Sequence, residues 1–473
     1  MTLKLYDTSA KALREFTPLV EGHVGVYVCG ATVQGSPHIG HIRSALAFDV
    51  LQRWLERSGY EVTMVRNVTD IDDKILAKSA EAGRPWWAWA YRFEREFADA
   101  YDALGLRRPT YEPRATAHMT DMFDLIGQLI EAGHAYVGDP GNVYFDVASL
   151  PGYGSLTHQS IKAMAVDEDG ASDKRGVHDF ALWKAPKYGE PDTASWDSPW
   201  GRGRPGWHLE CSAMAGRYLG AEFDIHGGGI DLRFPHHENE QAQSRGAGRG
   251  FARYWMHNAW VTIKGEKMSK SLGNSLVVSE ILKSTPAPVL RLALATVHYR
   301  STVEYSDTTL SEAQQNWTRM TGFLDRAEKM VGPVDGEKVA ALTAADYPEA
   351  FREAMNDDLN VSAAFAVIHE TVTAANKAMT EKKTDEVAGA ALAVRAMLDV
   401  LGVDPRAPQW SGASSSTEGA LDTVVASIIE ARSAARANKD WAQADALRDL
   451  LAQAGIVVED SADGATWHVK ENR

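Results

Sequence analysis

The sequence predicts an α/β fold, a Rossmann-like doubly wound parallel sheet with an insertion, followed by an α-helical bundle and a small C-terminal α+β piece. Three observations predict it. An apolar run ending at Cys29, a helical pattern from about residue 40 to 58 and a second apolar run over 61–68 form a strand, helix, strand unit of the right-handed parallel kind. A further helix and strand return after residue 206, beyond a stretch rich in Pro, Gly and Ser. From residue 286 onward the pattern is helical almost throughout.

Composition bounds the function classes. A chain of 473 residues is too long for one hydrophobic core, so three or four structural units are expected. Its 44% hydrophobic and 24% charged residues are those of a soluble globular protein. The opening Met-Thr-Leu-Lys-Leu-Tyr-Asp has no apolar h-region, and no stretch reaches the roughly 18 apolar residues of a membrane span, which predicts a cytoplasmic protein without membrane contact. Cys29 and Cys211, the only cysteines, are far apart and are expected as thiols or on a metal. The net charge of -15 opposes indiscriminate phosphate binding, so a nucleic-acid partner requires lysines and arginines gathered on one face.

Taken in order, the first strand places a thiol, Cys29, at its carboxyl end, and Pro37 leads into a helix whose first turn carries His38, Gly40 and His41. Imidazoles at a helix N-terminus suit a phosphate, and Gly40 lets a ligand approach the backbone. Ligands of doubly wound sheets sit at the carboxyl ends of the strands, where both Cys29 and Asn67-Val68-Thr69-Asp70 fall. Helical patterns follow over 73–82, 85–104 and 114–132. Trp86, Trp87 and Trp89 read as ordinary helix packing, because no basic residues interleave them as a base-stacking platform requires. Segments 135–137 and 143–147 read as a hairpin, 167–176 as a polar loop, and 186–206 as irregular.

The second half begins with a helix near Trp207 and a strand over 222–226 that runs into Gly227-Gly228-Gly229 and Asp231. Pro235 suits the first turn of another helix, on which His236 and Glu240, four apart, share a face. Cys29, Cys211, His236 and Glu240 make an accepted zinc set, the two sulfurs biasing it away from magnesium or calcium. With no close Cys-x-x-Cys pair, the residues alone leave open a zinc site or two buried cysteines beside an unrelated His/Glu pair. Lys267-Met268-Ser269-Lys270-Ser271, with Gly265 and Gly273 as hinges, reads as a lysine-bearing loop. Helical patterns follow over 286–297, 309–330, 339–355, 361–379 and 385–401, with the amide and acidic groups of Asp357-Asp358-Leu359-Asn360 suited to a helix cap. After a low-complexity linker come helices over 420–438 and 441–455 and a hairpin of 456–459 with 466–469.

In combination, Cys29 ahead of His38-Ile39-Gly40-His41, Gly206-Trp207-His208-Leu209-Glu210-Cys211-Ser212, His226-Gly227-Gly228-Gly229 with Asp231-Leu232, Pro235 to Glu240, and Lys267 to Asn274 resemble the cysteinyl-tRNA synthetases, a class I aminoacyl-tRNA synthetase family. The likeness runs from Leu5 to Val469. It implies one zinc ion held by Cys29, Cys211, His236 and Glu240, joined by the substrate thiolate, with Glu240 as the weak ligand and His237 and Glu238 outside the set. It implies ATP with Mg2+, L-cysteine and tRNA-Cys as substrates; a monomer is expected, although no residue pattern fixes the oligomeric state. His38, Gly40, His41, Lys267 and Lys270 would bind ATP, with His38, His41, Lys267 and Lys270 catalytic. Gly30, Thr32, Thr69, Trp207 and Asp231 would line the cysteine and adenylate site, Asp231 holding the ammonium.

The likeness further divides the chain. Residues 1–115 and 206–262 would be the halves of the catalytic domain, 116–205 the inserted region, and 263–310 the signature loop and stem contact. Residues 311–403 would be a bundle for the anticodon arm, 404–419 a linker, and 420–473 an anticodon-contacting piece with Arg432, Arg436, Lys439 and Arg448 on the tRNA backbone. Ala31, Gln34-Gly35-Ser36-Pro37 and Ile230 depart from the commonest family pattern, near the signature loop and the pocket edge. Two alternatives share parts of this pattern. A ligase joining cysteine to glucosaminyl-inositol in mycothiol synthesis typically lacks the long C-terminal extension, and a silent tRNA-binding paralogue has no need of both phosphate-handling motifs.

Overall fold

The computed structural model describes residues 2–139, 141–161, 173–263, 266–267, 276–410, 414–461 and 464–469. Four parallel strands organise the first part of the chain: β1 (His23–Val28), β2 (Glu61–Arg66), β3 (Glu222–Gly229) and β4 (Phe251–Asn258), ordered β4-β3-β1-β2. From β1 the chain passes through helix α1 (Ile39–Arg57) to β2 on one side, whereas β3, on the other side of β1, arrives only after the insertion. The sheet therefore changes winding direction between β1 and β3. That is where a doubly wound sheet opens a crevice at its strand ends.

Two differences from the sequence reading matter here. β3 continues through Gly227, Gly228 and Gly229, which pair with Met256, His257 and Asn258 of β4. β4 itself escaped the reading, because Arg253, His257 and Asn258 break its apolar pattern, although His257 and Asn258 are buried. Glycine is needed at residue 227 because a Cβ there would collide with the ring of Phe48 on α1.

One core lies on one face of the sheet and continues into the helical bundle, joining Val24, Val26, Phe48, Leu51 and Trp54 to Phe323, Phe351, Ile368 and Met397. The opposite face packs Tyr27, Cys29 and Val65 against helices Trp86–Ala103, Met119–Glu131 and α2 (Trp207–Leu219), together with the inserted region. The insertion carries an antiparallel sheet of Ala135–Val137, Val143–Phe145, Phe180–Lys184 and Arg204–Pro205. Among the tryptophans read as packing, Trp86 is buried and Trp89 donates from Nε1 to the Gln34 carbonyl at 3.2 Å. Trp87 does not fit that reading, for it is 57% exposed.

α1 connects the crevice to the bundle. Asp49 and Arg53 on α1 pair at 2.8 Å, Asp49 also bonds Arg291 of helix Ala287–Ala295, and Arg57 reaches Asp399 at 2.8 Å. Burial alone would raise the Asp49 pKa, but the Arg53 and Arg291 guanidiniums outweigh it and hold the carboxyl well below its usual range.

The bundle comprises helices Asp307–Val331, Gly336–Ala341, Glu349–Asn356, Val361–Thr380 and Thr384–Val400. The pattern read as one helix over 339–355 is two, separated by a turn at Ala344–Asp346 and by Pro348, which lacks a backbone N–H. Asn360 caps the helix from Val361, accepting from Ala363 N–H at 3.1 Å. Asp358 instead turns inward, where it accepts from Tyr6 N–H, the Tyr299 hydroxyl and Arg300 Nε at 2.7, 2.7 and 2.6 Å.

Residues 406–473 form a second compact unit. Helices Ser414–Ala437 and Trp441–Gln453 precede an antiparallel hairpin of Ile456–Ser461 and Gly464–Val469, around Val425, Leu451 and Ile456. The first helix begins inside the stretch 404–419 read as a linker, its serine run forming the opening turn. No helix among the described residues is long and apolar enough to cross a membrane.

Candidate active site and metal centre

The carboxyl ends of the four strands meet the N-terminus of α1 around a cleft of ≈ 340 Å³. Gly30, Thr32, His38, Gly40, His41, Trp207 and Asp231, all expected from the sequence, line it together with Cys29. Thr69 does not line it. It lies behind the wall, 2% exposed, with its hydroxyl donating to Glu210 Oε2 at 2.9 Å. Gln34, expected at the pocket edge, lines the cleft too, as do Arg66, Lys74, Asn258 and Trp260, which the sequence pattern did not single out. Arg66 and Asn258 end β2 and β4, the one signal that could have found them once the strands were known.

His38 caps α1, and its ring stacks on that of His41 with centroids 3.6 Å apart. The two imidazoles therefore form one stacked pair at a helix N-terminus, beside Gly40. Lys267 enters through its backbone, pairing with Thr262 in a short antiparallel ladder of Val261–Ile263 with Glu266–Lys267. Lys270, Gly265 and Gly273 lie outside the described residues.

Cys29 follows β1, Cys211 lies in α2, and His236 stands just before helix α3 (Glu238–Gly246), which carries Glu240. The helical path through 233–237 is broken at Phe234, whose backbone is extended (φ -140°, ψ 134°), and α3 starts later than the expected Pro235 position. His236 and Glu240 nonetheless stay one turn apart, with Nε2 and Oε1 3.2 Å from each other. Cys29 Sγ lies 3.6 Å from Cys211 Sγ and 3.4 Å from Glu240 Oε1. One donor atom from each of the four falls within 4.8 Å of every other, and all four side chains are buried.

This donor set fits a metal ion. Burial pushes the Cys29 thiol well above its ordinary range, with Cys211 and Glu240 adding to the effect, and burial likewise raises Cys211. Burial also keeps His236 neutral, with His208 and His226 reinforcing the effect. A cation that replaces the thiol protons relieves this arrangement. The supporting contacts aim the donors inward. His208 Nδ1 meets His236 Nδ1 at 2.9 Å, leaving His236 Nε2 toward Glu240, and His226 Nε2 holds the other carboxylate oxygen, Oε2, at 2.8 Å.

A second group, Cys29, His226, His237 and Glu240, meets the same 4.8 Å separation. It includes His237, which the reading set aside. Only the first group supplies two sulfurs, the donors that favour zinc. In addition, His226 Nε2 is already engaged with Glu240 and His237 Nδ1 with His257 Nε2 at 2.8 Å. Glu238 turns away from both groups and accepts from Gly154 and Thr157 N–H at 2.9 Å each.

Comparison with known proteins bears on these motifs directly. Residues 15–315 match the model of the tRNA synthetases class I (C) catalytic domain, 350–403 the DALR domain, and 418–467 the cysteinyl-tRNA ligase anticodon binding domain. The cysteine–tRNA ligase of Beutenbergia cavernae is 62% identical over 472 residues, covering 99% of this chain and 100% of that protein. The chain belongs to the cysteine–tRNA ligase family. Its cysteine–tRNA ligase relative from Streptomyces coelicolor is 56% identical, covering 99% of this chain and 75% of that protein. The fold extends further within the class I aminoacyl-tRNA synthetases. Mycobacterium tuberculosis methionyl-tRNA synthetase in complex with methionyl-adenylate aligns over 81% of this chain and 90% of its own, with a TM-score of 0.60 at 16% identity.

Within the family's anticodon binding domain, the basic residues expected on tRNA fall on two helices and the turn between them. Arg432 and Arg436 sit on Ser414–Ala437, Lys439 follows it, and Arg448 sits on Trp441–Gln453 beside Asp445 at 3.2 Å and Asp449 at 3.4 Å.

Proposed function

We propose that the protein activates L-cysteine with ATP and transfers it to the 3′-terminal adenosine of tRNA-Cys in the cytoplasm. One observation carries this reading. A soft, buried donor set of Cys29, Cys211, His236 and Glu240 reaches, through Cys29, the cleft that the stacked rings of His38 and His41 line at a helix N-terminus.

Cys29, Cys211, His236 and Glu240 would hold one Zn2+, which when bound supplies a soft centre that prefers a thiolate to a hydroxyl. Such a preference supplies what a pocket of apolar contacts and hydrogen bonds cannot, since cysteine and serine differ by one atom. Asp231 and Trp207, on the cleft wall, orient the amino acid, Asp231 by pairing with the ammonium. The carboxylate of cysteine attacks the α-phosphate of ATP in line, the bond to the β-phosphate oxygen breaks, and pyrophosphate leaves with its electron pair. Little covalent work falls to the chain, so positioning and charge stabilisation dominate. His38 and His41 receive the triphosphate at the α1 N-terminus, Gly40 admits it to the backbone, and Lys267 and Lys270 neutralise the developing charge. The anticodon binding domain match over 418–467 supports tRNA as the acceptor over a small amino sugar.

The test is transfer of labelled L-cysteine to bulk tRNA with ATP, magnesium and a reductant, with L-serine run alongside. Acylation by cysteine and not by serine is the expected result. Adenylate without acylated tRNA would overturn tRNA as the acceptor, and absence of cysteine-dependent adenylate would overturn the whole reading.

A further inference from the structure

Glu210 has no part in the chemistry described above, yet it is 1% exposed and lies one residue before Cys211. Burying a carboxyl is costly unless it gains a partner. Its partner is the hydroxyl of Thr69, which donates to Oε2 at 2.9 Å. Thr69 Oγ1 in turn accepts from Asn67 Nδ2 at 3.3 Å, and Asn67 Oδ1 accepts from the Gly30 N–H at 2.8 Å. The chain of bonds thus runs from α2, behind the end of β2, to the backbone of a residue that lines the cleft.

The backbone follows the same route. Thr32 and Thr69 form a bridge, in which Val33 N–H donates to the Thr69 carbonyl at 3.1 Å and Thr69 N–H to the Ala31 carbonyl at 3.2 Å. Residue 30 must be glycine, because a Cβ there would collide with the carbonyl oxygen of Asn67. Segment 30–33 is therefore pressed directly on segment 67–69, and Glu210 is the side chain that holds 67–69 from behind.

We propose that Glu210 is a positioning residue for the amino-acid half of the cleft, acting through Thr69 and Asn67 on the wall formed by Gly30 to Thr32. This rests on reading the cleft as the site of cysteine activation. Thr69 then serves behind the wall, and Gly30 to Thr32 are the part of this wall that faces the cysteine, alongside Asp231 and Trp207. Loss of the carboxyl leaves the buried Thr69 hydroxyl without its acceptor and loosens the wall, which weakens cysteine binding while ATP binding is untouched.

The test is a double-mutant cycle on the full chain, read by cysteine-dependent ATP–pyrophosphate exchange with zinc content measured on each variant. Glu210→Ala and the isosteric Thr69→Val each raise KM for cysteine about tenfold with KM for ATP unchanged, as expected for lost positioning of one substrate. The double variant is no worse than either single one, whereas independent roles would multiply to about a hundredfold. Glu210→Gln, which still offers an oxygen to Thr69, restores KM to within about twofold.

Three results would each overturn the proposal: a multiplicative double variant, a Glu210→Gln as damaging as Glu210→Ala, or a Thr69→Val with unaltered KM for cysteine. Zinc loss from Glu210→Ala would also overturn it, since the residue would then act on Cys211. Should Glu210→Ala fail to fold, Thr69→Val and Glu210→Gln still decide the matter. Absence of exchange in the unmodified protein would instead remove the activity on which the inference rests.

Discussion

At the scale of single residues, the proposed metal set draws on four separately placed donors, and the buried thiols decide its behaviour. Cys211→Ser replaces a sulfur by a hydroxyl that does not ionise in this pH range, so zinc and cysteine activation are expected to vanish together. Metal analysis finding one zinc per chain in that variant would refute the four-donor set. The raised thiols also fix a pH dependence. Burial pushes Cys29 and Cys211 above their ordinary range, so both carry protons in the metal-free protein at neutral pH. Each proton must leave when the ion enters, and apparent zinc affinity should therefore fall with falling pH, by up to about a hundredfold per pH unit for two displaced protons. Competition against a chelator across pH 6 to 8, corrected for the chelator's own protonation, checks this on the order-of-magnitude scale of the linkage. A flat profile would mean that the thiols are not the groups displaced. Cys29, Cys211, His236 and Glu240 stood out in the sequence as scarce or regularly spaced residue types, but those alone left a zinc site and an unrelated His/Glu pair both open, and the family likeness chose the four-donor set. Glu210, His226 and His257 were not, since what they do depends on neighbours such as Thr69 and Glu240, brought together only by the sheet.

At the scale of elements, α1 is the member on which the catalytic half depends, since its first turn faces the cleft and its later turns reach the bundle. Asp49 is buried between Arg53 and Arg291, and its removal leaves both guanidiniums without that partner. Asp49→Asn should cost about 3–5 kcal/mol of unfolding free energy, the usual penalty for breaking a buried pair from one side. Urea unfolding measures it, and a loss under ~1 kcal/mol would mean that solvent or other carboxylates replace the partner. The sign with pH follows from the depressed carboxyl. Its contribution is whole above the unfolded value near 3.9 and is lost as pH falls through the lower folded value. The helix and its apolar stripe were plain from the sequence, as was β1. β4 was not, because a strand buried among other elements can carry Arg253, His257 and Asn258 at positions that periodicity reads as exposed.

At the scale of the whole molecule, the chain divides into residues 1–405 and 406–473, and the division separates two chemical duties. All described residues of the cleft and of the metal set lie in the first unit, while the anticodon binding domain match falls in the second. Truncation after Pro405 should leave cysteine-dependent pyrophosphate exchange within about twofold and lower charging of tRNA at least tenfold through KM, as loss of uniform binding does. Exchange lost along with charging would show that the second unit is needed for the first to work. The order of these parts was readable from composition and helical pattern, whereas the point at which the linker ends was obscured by Ser414 to Ser416, which the fold uses to begin a helix. The metal set has one more consequence. Its sulfurs come from strands of chain 182 positions apart, with the whole insertion looped between them. An ion there would act as one clasp across a discontinuous domain. A single protease cut within the insertion should leave the two fragments migrating as one particle, held by the β1–β3 pairing and the shared core, and a chelator should lower the temperature at which they part.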